Sequence, residues 1–208
     1  MFLISTKFGM IPNIVSDIES LKKDRILFID DFIFRDCIFF HQNISLRDFC
    51  NIKKDIKIYL MFKNNLKNQR RIVTSKRGNM SINKEEYDKY IKILQPDYYQ
   101  DFSSTKIINN INNININNVI KDIKTLEEFN KLKSNTLFGT TFINKLVEEN
   151  KMLQIIDNQL VVSEDIFDCK CTDLSPGYLK HLLEMKEINF KYYLTIHNYN
   201  QLEKILKK

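Results

Sequence analysis

Short, bulky apolar runs alternate along this chain with capped stretches of helical period, and that alternation narrows the possible folds more than any other feature. Residues 2–5, 26–29, 38–40 and 56–62 are rich in β-branched and aromatic side chains and are bounded by charged or turn-forming residues, the pattern of short strands. Helix signals lie between and after them. Ser45-Leu-Arg-Asp48 can open a helix running to about Lys54. Asn83-Lys-Glu-Glu86 has the form of a capping box and leads into Tyr87, Ile91 and Leu94, which recur on one helical face. A second box, Thr125-Leu-Glu-Glu128, opens a short helix whose buried face is Leu126, Phe129 and Leu132. Residues 95–104 read as a turn and then a strand, and 137–142 as another strand. Strands separated by short helices predict an α/β fold with mainly parallel pairing.

The 208 residues suffice for one sizeable core, and 43% hydrophobic with 28% charged residues is the balance of a soluble globular protein. Four glycines and three prolines predict few tight turns. No apolar stretch reaches about 18 residues, and Ser5, Thr6 and Lys7 break the N-terminal run, so neither a membrane span nor a signal peptide is expected and the chain reads as intracellular. The cysteines at 37, 50, 169 and 171 are not spaced as a secreted disulfide scaffold, and Cys37 and Cys50 read as buried, inert thiols. There is no glycine-rich phosphate loop, no H-E-x-x-H and no G-x-S-x-G, and neither His41 nor His181 has a Ser or Cys nucleophile at motif spacing.

A net charge of +6 and a pI near 9.0 favour an anionic partner. The charge is concentrated. Residues 56–84 contain no acid, yet carry Lys57, Lys63, Lys67, Arg70, Arg71, Lys76, Arg77 and Lys84. Cations without acidic partners neutralise phosphates and release counterions, which makes Lys63, Lys67, Arg70, Arg71, Lys76 and Arg77 the candidate RNA-binding residues. A solvated loop between two strands accounts for the same pattern.

Near the C-terminus, Cys169 and Cys171 stand one residue apart, so on an extended segment both thiols project to one side. Ser175 can cap a following helix, Pro176 suits its first position, and Tyr178, Leu182 and Met185 repeat along it; His197 lies downstream. Two thiolates and an imidazole begin a structural zinc site, which takes four N or S ligands. Two buried cysteines and a hydrogen-bonded core histidine fit the spacing too.

The run from Cys169-x-Cys171 through Tyr178-Leu-Lys-His181-Leu to His197-Asn198 resembles the C-terminal zinc segment of the tRNA-guanine transglycosylases, which reads C-x-C-x-x-C, then Y-L-x-H-L, then H-N. From Tyr178 to His197 the spacing matches without a gap; between Cys171 and Leu174 this chain is shorter and lacks the third cysteine. The resemblance implies zinc held by Cys169, Cys171 and His197, with Asp168 or Asp173 as a possible oxygen ligand, and it leaves His181 a packing or polar-contact role. Two further pieces resemble the family: Thr6-Lys-Phe-Gly9-Met-Ile-Pro12 to Asp17, and residues 73–104. Residues 152–162 are similar to the hairpin that the family places before its zinc segment.

At the positions matching the family's two catalytic aspartates this sequence has Ser103 and Gly139, and the first of these makes it more similar to the non-catalytic accessory subunit of eukaryotic queuine tRNA-ribosyltransferase. A glycine cannot form the covalent intermediate of base exchange. The resemblance therefore implies no catalytic residue in this chain, a catalytic partner subunit in a heterodimer, tRNA as the shared substrate, and a location in the cytoplasm or at the mitochondrial outer face. It also implies a single domain over 1–208: a shortened or partial (β/α) TIM-type barrel, an Asn/Ile low-complexity linker at 107–118, and a zinc-type helical segment at 168–208. Two other functions fit parts of the same pattern. One is a stand-alone RNA-binding or scaffold module; the other is a divergent transglycosylase using a relocated carboxylate such as Asp101 or Glu148.

Overall fold

The computed structural model describes residues 2–6, 25–29, 43–62, 66–67, 69–75, 78–111, 115–116, 121–132, 137–163 and 174–207. The expected strand at 38–40, the motif at 7–17 and both cysteines of the C-x-C pair lie outside them. In chain order the strands are β1 Phe2–Thr6, β2 Arg25–Ile29, β3 Lys57–Met61, β4 Leu66–Lys67, β5 Arg70–Ser75, β6 Gly78–Ile82, β7 Tyr98–Gln100, β8 Ile107–Asn109, β9 Asn115–Ile116, β10 Lys121–Asp122, β11 Phe138–Gly139, β12 Met152–Ile156 and β13 Gln159–Ser163. The helices are α1 Leu46–Phe49, α2 Lys84–Leu94, α3 Leu126–Asn130, α4 Thr141–Glu148, α5 Pro176–Glu184 and α6 Ile188–Leu206.

The fold is mixed α/β. Its main sheet has the order β10-β11-β1-β2-β3-β7-β8-β9, with parallel pairing from β10 across to β7 and antiparallel pairing of β8 and β9. From β1 through β2 and β3 to β7 the chain steps in one direction, and from β10 through β11 it steps the same way toward β1. Right-handed crossovers that all advance in one direction put their connections on one face of a sheet. The packing agrees. Phe2, Ile4, Ile58 and Leu60 meet Tyr87, Ile91 and Leu94 of α2, Phe142 and Ile143 of α4, and Phe190, Leu194 and Leu202 of α6 in one core. The alternate residues Leu3, Tyr59 and Ile107, with Met61, Tyr98 and Leu137, form a separate small cluster with no helical member among the described residues. No pairing among the described residues joins β9 to β10, so the described sheet is open rather than a closed barrel.

Local chemistry sets the boundaries. Asn83 and Glu86 exchange the two capping-box hydrogen bonds, at 2.9 and 2.7 Å, and α2 ends at Gln95 in the left-handed conformation ahead of Pro96. The stripe Tyr87, Ile91 and Leu94 is buried as its period requires; truncating Leu94 to Ala costs about 2–5 kcal/mol. α1 is shorter than expected, because Cys50 closes it and Asn51 takes a positive φ of 51°. In α3, Thr125 caps the Glu128 amide, while the Glu128 carboxylate accepts from the Lys124 amide one residue beyond the box position. Tight turns are more numerous than the glycine count suggests: Asn43, Asn51, Asn150, Asp157 and Asn158 hold left-handed positions, and Asp157-Asn158 make the two-residue turn of the β12–β13 hairpin.

Three stretches differ from expectation. The acid-free region is an antiparallel meander, β4-β5-β6, instead of a loop. The Asn/Ile stretch carries β8 and β9, which extend the main sheet at its edge. On α5 the buried residues are Leu179 and Leu182, whereas Tyr178 and Met185 are 49% and 61% exposed. Tyr178 instead stacks on His181, with ring centroids 6.2 Å apart. No helix among the described residues is long and apolar enough to cross a membrane.

Candidate functional site

In sheets of this kind functional side chains gather at the C-terminal ends of the parallel strands. Two corners of that rim are built from polar groups. At the corner formed by β10, β11 and β1, Thr140 follows the last residue of β11 and is fully buried. Its amide donates to Ser5 Oγ at 2.7 Å; its hydroxyl donates to the Leu3 carbonyl at 2.9 Å and accepts from the Ser5 amide at 3.1 Å. A hydroxyl has one proton and two lone pairs, so the remaining contact, 2.8 Å to Tyr199 Oη, has the tyrosine as donor. Burial pushes the Tyr199 phenol far above its ordinary range, which keeps it a donor at every physiological pH. Asn144 adds a bond from Nδ2 to the Ser5 carbonyl at 2.8 Å.

Asp122 closes this corner. Its carboxylate accepts from the hydroxyl and the amide of Thr141 and so caps α4 from a different strand, while the adjacent Thr140 makes no side-chain cap. That explains why the expected strand at 137–142 stops at Gly139 and a helix begins. The other oxygen, Oδ1, is buried with no hydrogen-bond partner among the described residues. Burial, opposed by the Thr141 bonds and Lys124, raises the carboxyl from 3.8 to about 6.

The second corner follows β7. Arg71, a candidate RNA contact, is only 3% exposed and turns inward: Nε donates to the Phe102 carbonyl at 2.8 Å, and one terminal nitrogen reaches the carbonyls of Asp101 and Ser104 at 3.3 and 3.2 Å. Its guanidinium lies 4.3 Å from the centre of the Phe62 ring. Gln100 links the Phe62 amide to the Ser104 carbonyl, and Tyr87 Oη donates to the Gln100 carbonyl at 2.6 Å. The loop presents Ser103, exposed, to an open cleft of about 590 Å³ lined also by Gln69, Asn83, Lys84, Glu85 and Phe102.

Arg71 is therefore a loop anchor and not a surface cation; strand alternation explains it, since adjacent residues of β5 face opposite sides and Arg70 is the exposed one. Lys67 is the cross-strand partner of Arg70 in the register. Lys63, Lys76 and Arg77 lie outside the described residues. Of the lysines at the ends of the acid-free stretch, Lys57 approaches Asp97 at 3.8 Å and Lys84 approaches Asp88, one turn on in α2, at 3.9 Å.

Of the implied zinc ligands, Cys169 and Cys171 lie outside the described residues and His197 lies on α6, 2% exposed. His197 Nε2 donates to the Leu153 carbonyl at 2.8 Å, and burial lowers its pKa, so the ring is neutral near pH 7. With the proton on Nε2, Nδ1 carries the lone pair, the arrangement found when a carbonyl orients a metal-binding histidine. The next residue acts on the same strand: Asn198 accepts from the Leu153 amide at 2.8 Å and donates to the Lys151 carbonyl at 3.1 Å. The pair thus clamps β12. Among the described residues no group of three His, Cys, Asp or Glu side chains could hold a metal.

Of the carboxylates weighed for a relocated active site, Asp101 Oδ2 accepts from Ser104 Oγ at 2.8 Å. Glu148 ends α4, exposed and about 10 Å along the helix from the rim. Sequence reasoning missed Thr140, Asp122 and Tyr199; the one signal for them was an acidic residue closing a short β-like run. Compared with known proteins, the chain matches no family model and no curated protein at a significant level.

Proposed function

We propose that this chain is a non-catalytic accessory subunit of a queuine tRNA-ribosyltransferase, pairing with a catalytic subunit that exchanges guanine for queuine at the tRNA wobble position. The observation that carries the reading is Gly139. It ends a parallel strand at the rim from which such sheets present catalytic side chains, and it offers none. Ser103 stands likewise on the loop after β7, anchored through its backbone neighbours by Arg71. One-directional strand order, with the described helical core on one face, supports a shortened TIM-type barrel as the underlying architecture. The described cation Arg70 and the +6 net charge support contact with tRNA.

In this reading Cys169, Cys171 and His197 would hold a zinc ion, with an aspartate such as Asp168 or Asp173 as the oxygen ligand. Bound there, zinc would tie the tail to the helix that clamps β12. The chain's own contribution is the clamp: the Leu153 carbonyl fixes the His197 tautomer and Asn198 fixes the strand beside it. The proposed location is the cytoplasm.

Incorporation of labelled guanine into tRNA tests the function. This chain alone, the catalytic subunit alone and the mixture are compared. Exchange that rises only in the mixture is expected. Exchange by this chain alone would make it an enzyme, and a mixture no better than the catalytic subunit would favour a stand-alone RNA-binding module.

A further inference from the structure

Every polar group of Thr140 is matched, yet its neighbour Asp122 keeps one buried oxygen without a partner among the described residues. An unmatched buried carboxylate oxygen costs free energy that opening to water would recover. The strand that carries it is suited to opening. β10 is two residues long, lies at the edge of the sheet and pairs with β11 alone among the described strands. It is held by Lys121 N to Leu137 O at 3.2 Å, Ile123 N to Gly139 O at 3.1 Å, Phe142 N to Ile123 O at 2.9 Å, and the Asp122 cap on Thr141.

We propose that Asp122 is a proton-linked latch between β10 and the first turn of α4, closed more firmly when the carboxyl is protonated and released locally when it is charged. Three groups on the surrounding elements bear on its charge: Lys124, just beyond β10, favours the carboxylate, whereas Glu128 of α3 disfavours it, and Tyr199 of α6 faces it as a neutral donor to Thr140. The Thr141 bonds favour the charged form, and burial outweighs them. Opening would uncover the rim beside Gly139, so the latch makes access to that corner depend on pH. The inference is independent of the proposed function and would hold if that reading failed.

Linkage gives the size. A carboxyl at about 6 when closed and 3.8 when open raises the closing equilibrium about tenfold between pH 7.5 and pH 5. Amide exchange in the full chain, corrected for the intrinsic pH dependence of exchange, measures this at Ile123 and Phe142, with Ile58 and Leu60 of the central strand β3 as references. The expected result is weaker protection at Ile123 and Phe142 than at the references at pH 7.5, about tenfold greater protection of both at pH 5, and loss of that rise in Asp122→Asn. Protection at Ile123 and Phe142 equal to that at β3 at both pH values would show that the corner opens only by global unfolding and would overturn the latch. A carbon-13 titration of the Asp122 carboxyl in the unmodified chain keeps the test open if the variant does not fold. A midpoint near 6 supports the proposal; one near 4 overturns it.

Discussion

Two corners of the same sheet rim solve the problem of burying polar groups in opposite ways. After β7, a buried arginine fork takes three loop carbonyls, and Gln100 and Tyr87 take the neighbouring backbone groups. Between β10 and α4, a half-buried carboxylate satisfies one helix end and leaves its buried Oδ1 without a partner among the described residues. The first corner is a rigid platform for Ser103. The second holds tension that depends on protonation. A rim can therefore be fixed at one end and conditional at the other, and the difference lies in whether the buried charge finds all its partners.

Removing the platform should have the largest effect. Arg71→Met strips three carbonyls and two ring faces of their cation, and should destabilise the fold by about 3–5 kcal/mol in urea titration, with loss of protection in residues 101–104. A loss under about 1 kcal/mol would mean the loop holds itself.

At the other corner the sign should reverse. The folded-state pKa of Asp122 lies above its unfolded value, so the stability tied to its proton is fully present below about pH 4 and is lost as pH rises through about 6. Asp122→Asn should therefore stabilise the protein at pH 7.5 by about 1–3 kcal/mol, the gain vanishing near pH 4. His197 works in the opposite sense: its folded pKa is lowered, so its contribution is present above 6.5 and is lost on acidification. Stability curves of the asparagine variant should then show the histidine's acid-side loss without the opposing carboxylate.

Thr140→Val sharpens the comparison from within the second corner, because it leaves the Tyr199 hydroxyl, the Ser5 amide and the Leu3 carbonyl without their partner. A loss of about 2 kcal/mol, independent of pH between 5 and 8, is expected by thermal or chemical denaturation. The smallest effect belongs to Arg70→Ala. Stability should change by no more than about 0.5 kcal/mol, while affinity for RNA falls and the salt dependence of binding flattens by about one counterion.

What the sequence made legible was local. Capping boxes, the Tyr87–Ile91–Leu94 stripe and the strands at 2–5, 26–29 and 56–62 each depend on neighbours within a few residues, and each is found close to where its pattern puts it. The misses were tertiary. Nothing near Thr141 announces that Asp122 will cap it, so the apolar run at 137–142 reads as one strand although the strand ends at Gly139 and a helix begins at Thr141. Arg70 and Arg71 look alike in a charge count, and only the meander's alternation separates a surface cation from a buried one. On α5 the periodic set that included Tyr178 and Met185 was one of two overlapping stripes, and the pair Leu179 and Leu182 went inside. Of the site, His197-Asn198 was visible as a motif; its role as a clamp on β12 needed the fold.

The most direct test of the central claim is purification of this chain, through a tag on it, from cells that also express the catalytic transglycosylase subunit, with partner stoichiometry and bound zinc read from the same eluate. The account predicts an equimolar partner and one zinc per copy of this chain beyond the partner's own, lost in Cys169→Ser. Elution of the chain alone and metal-free would contradict it.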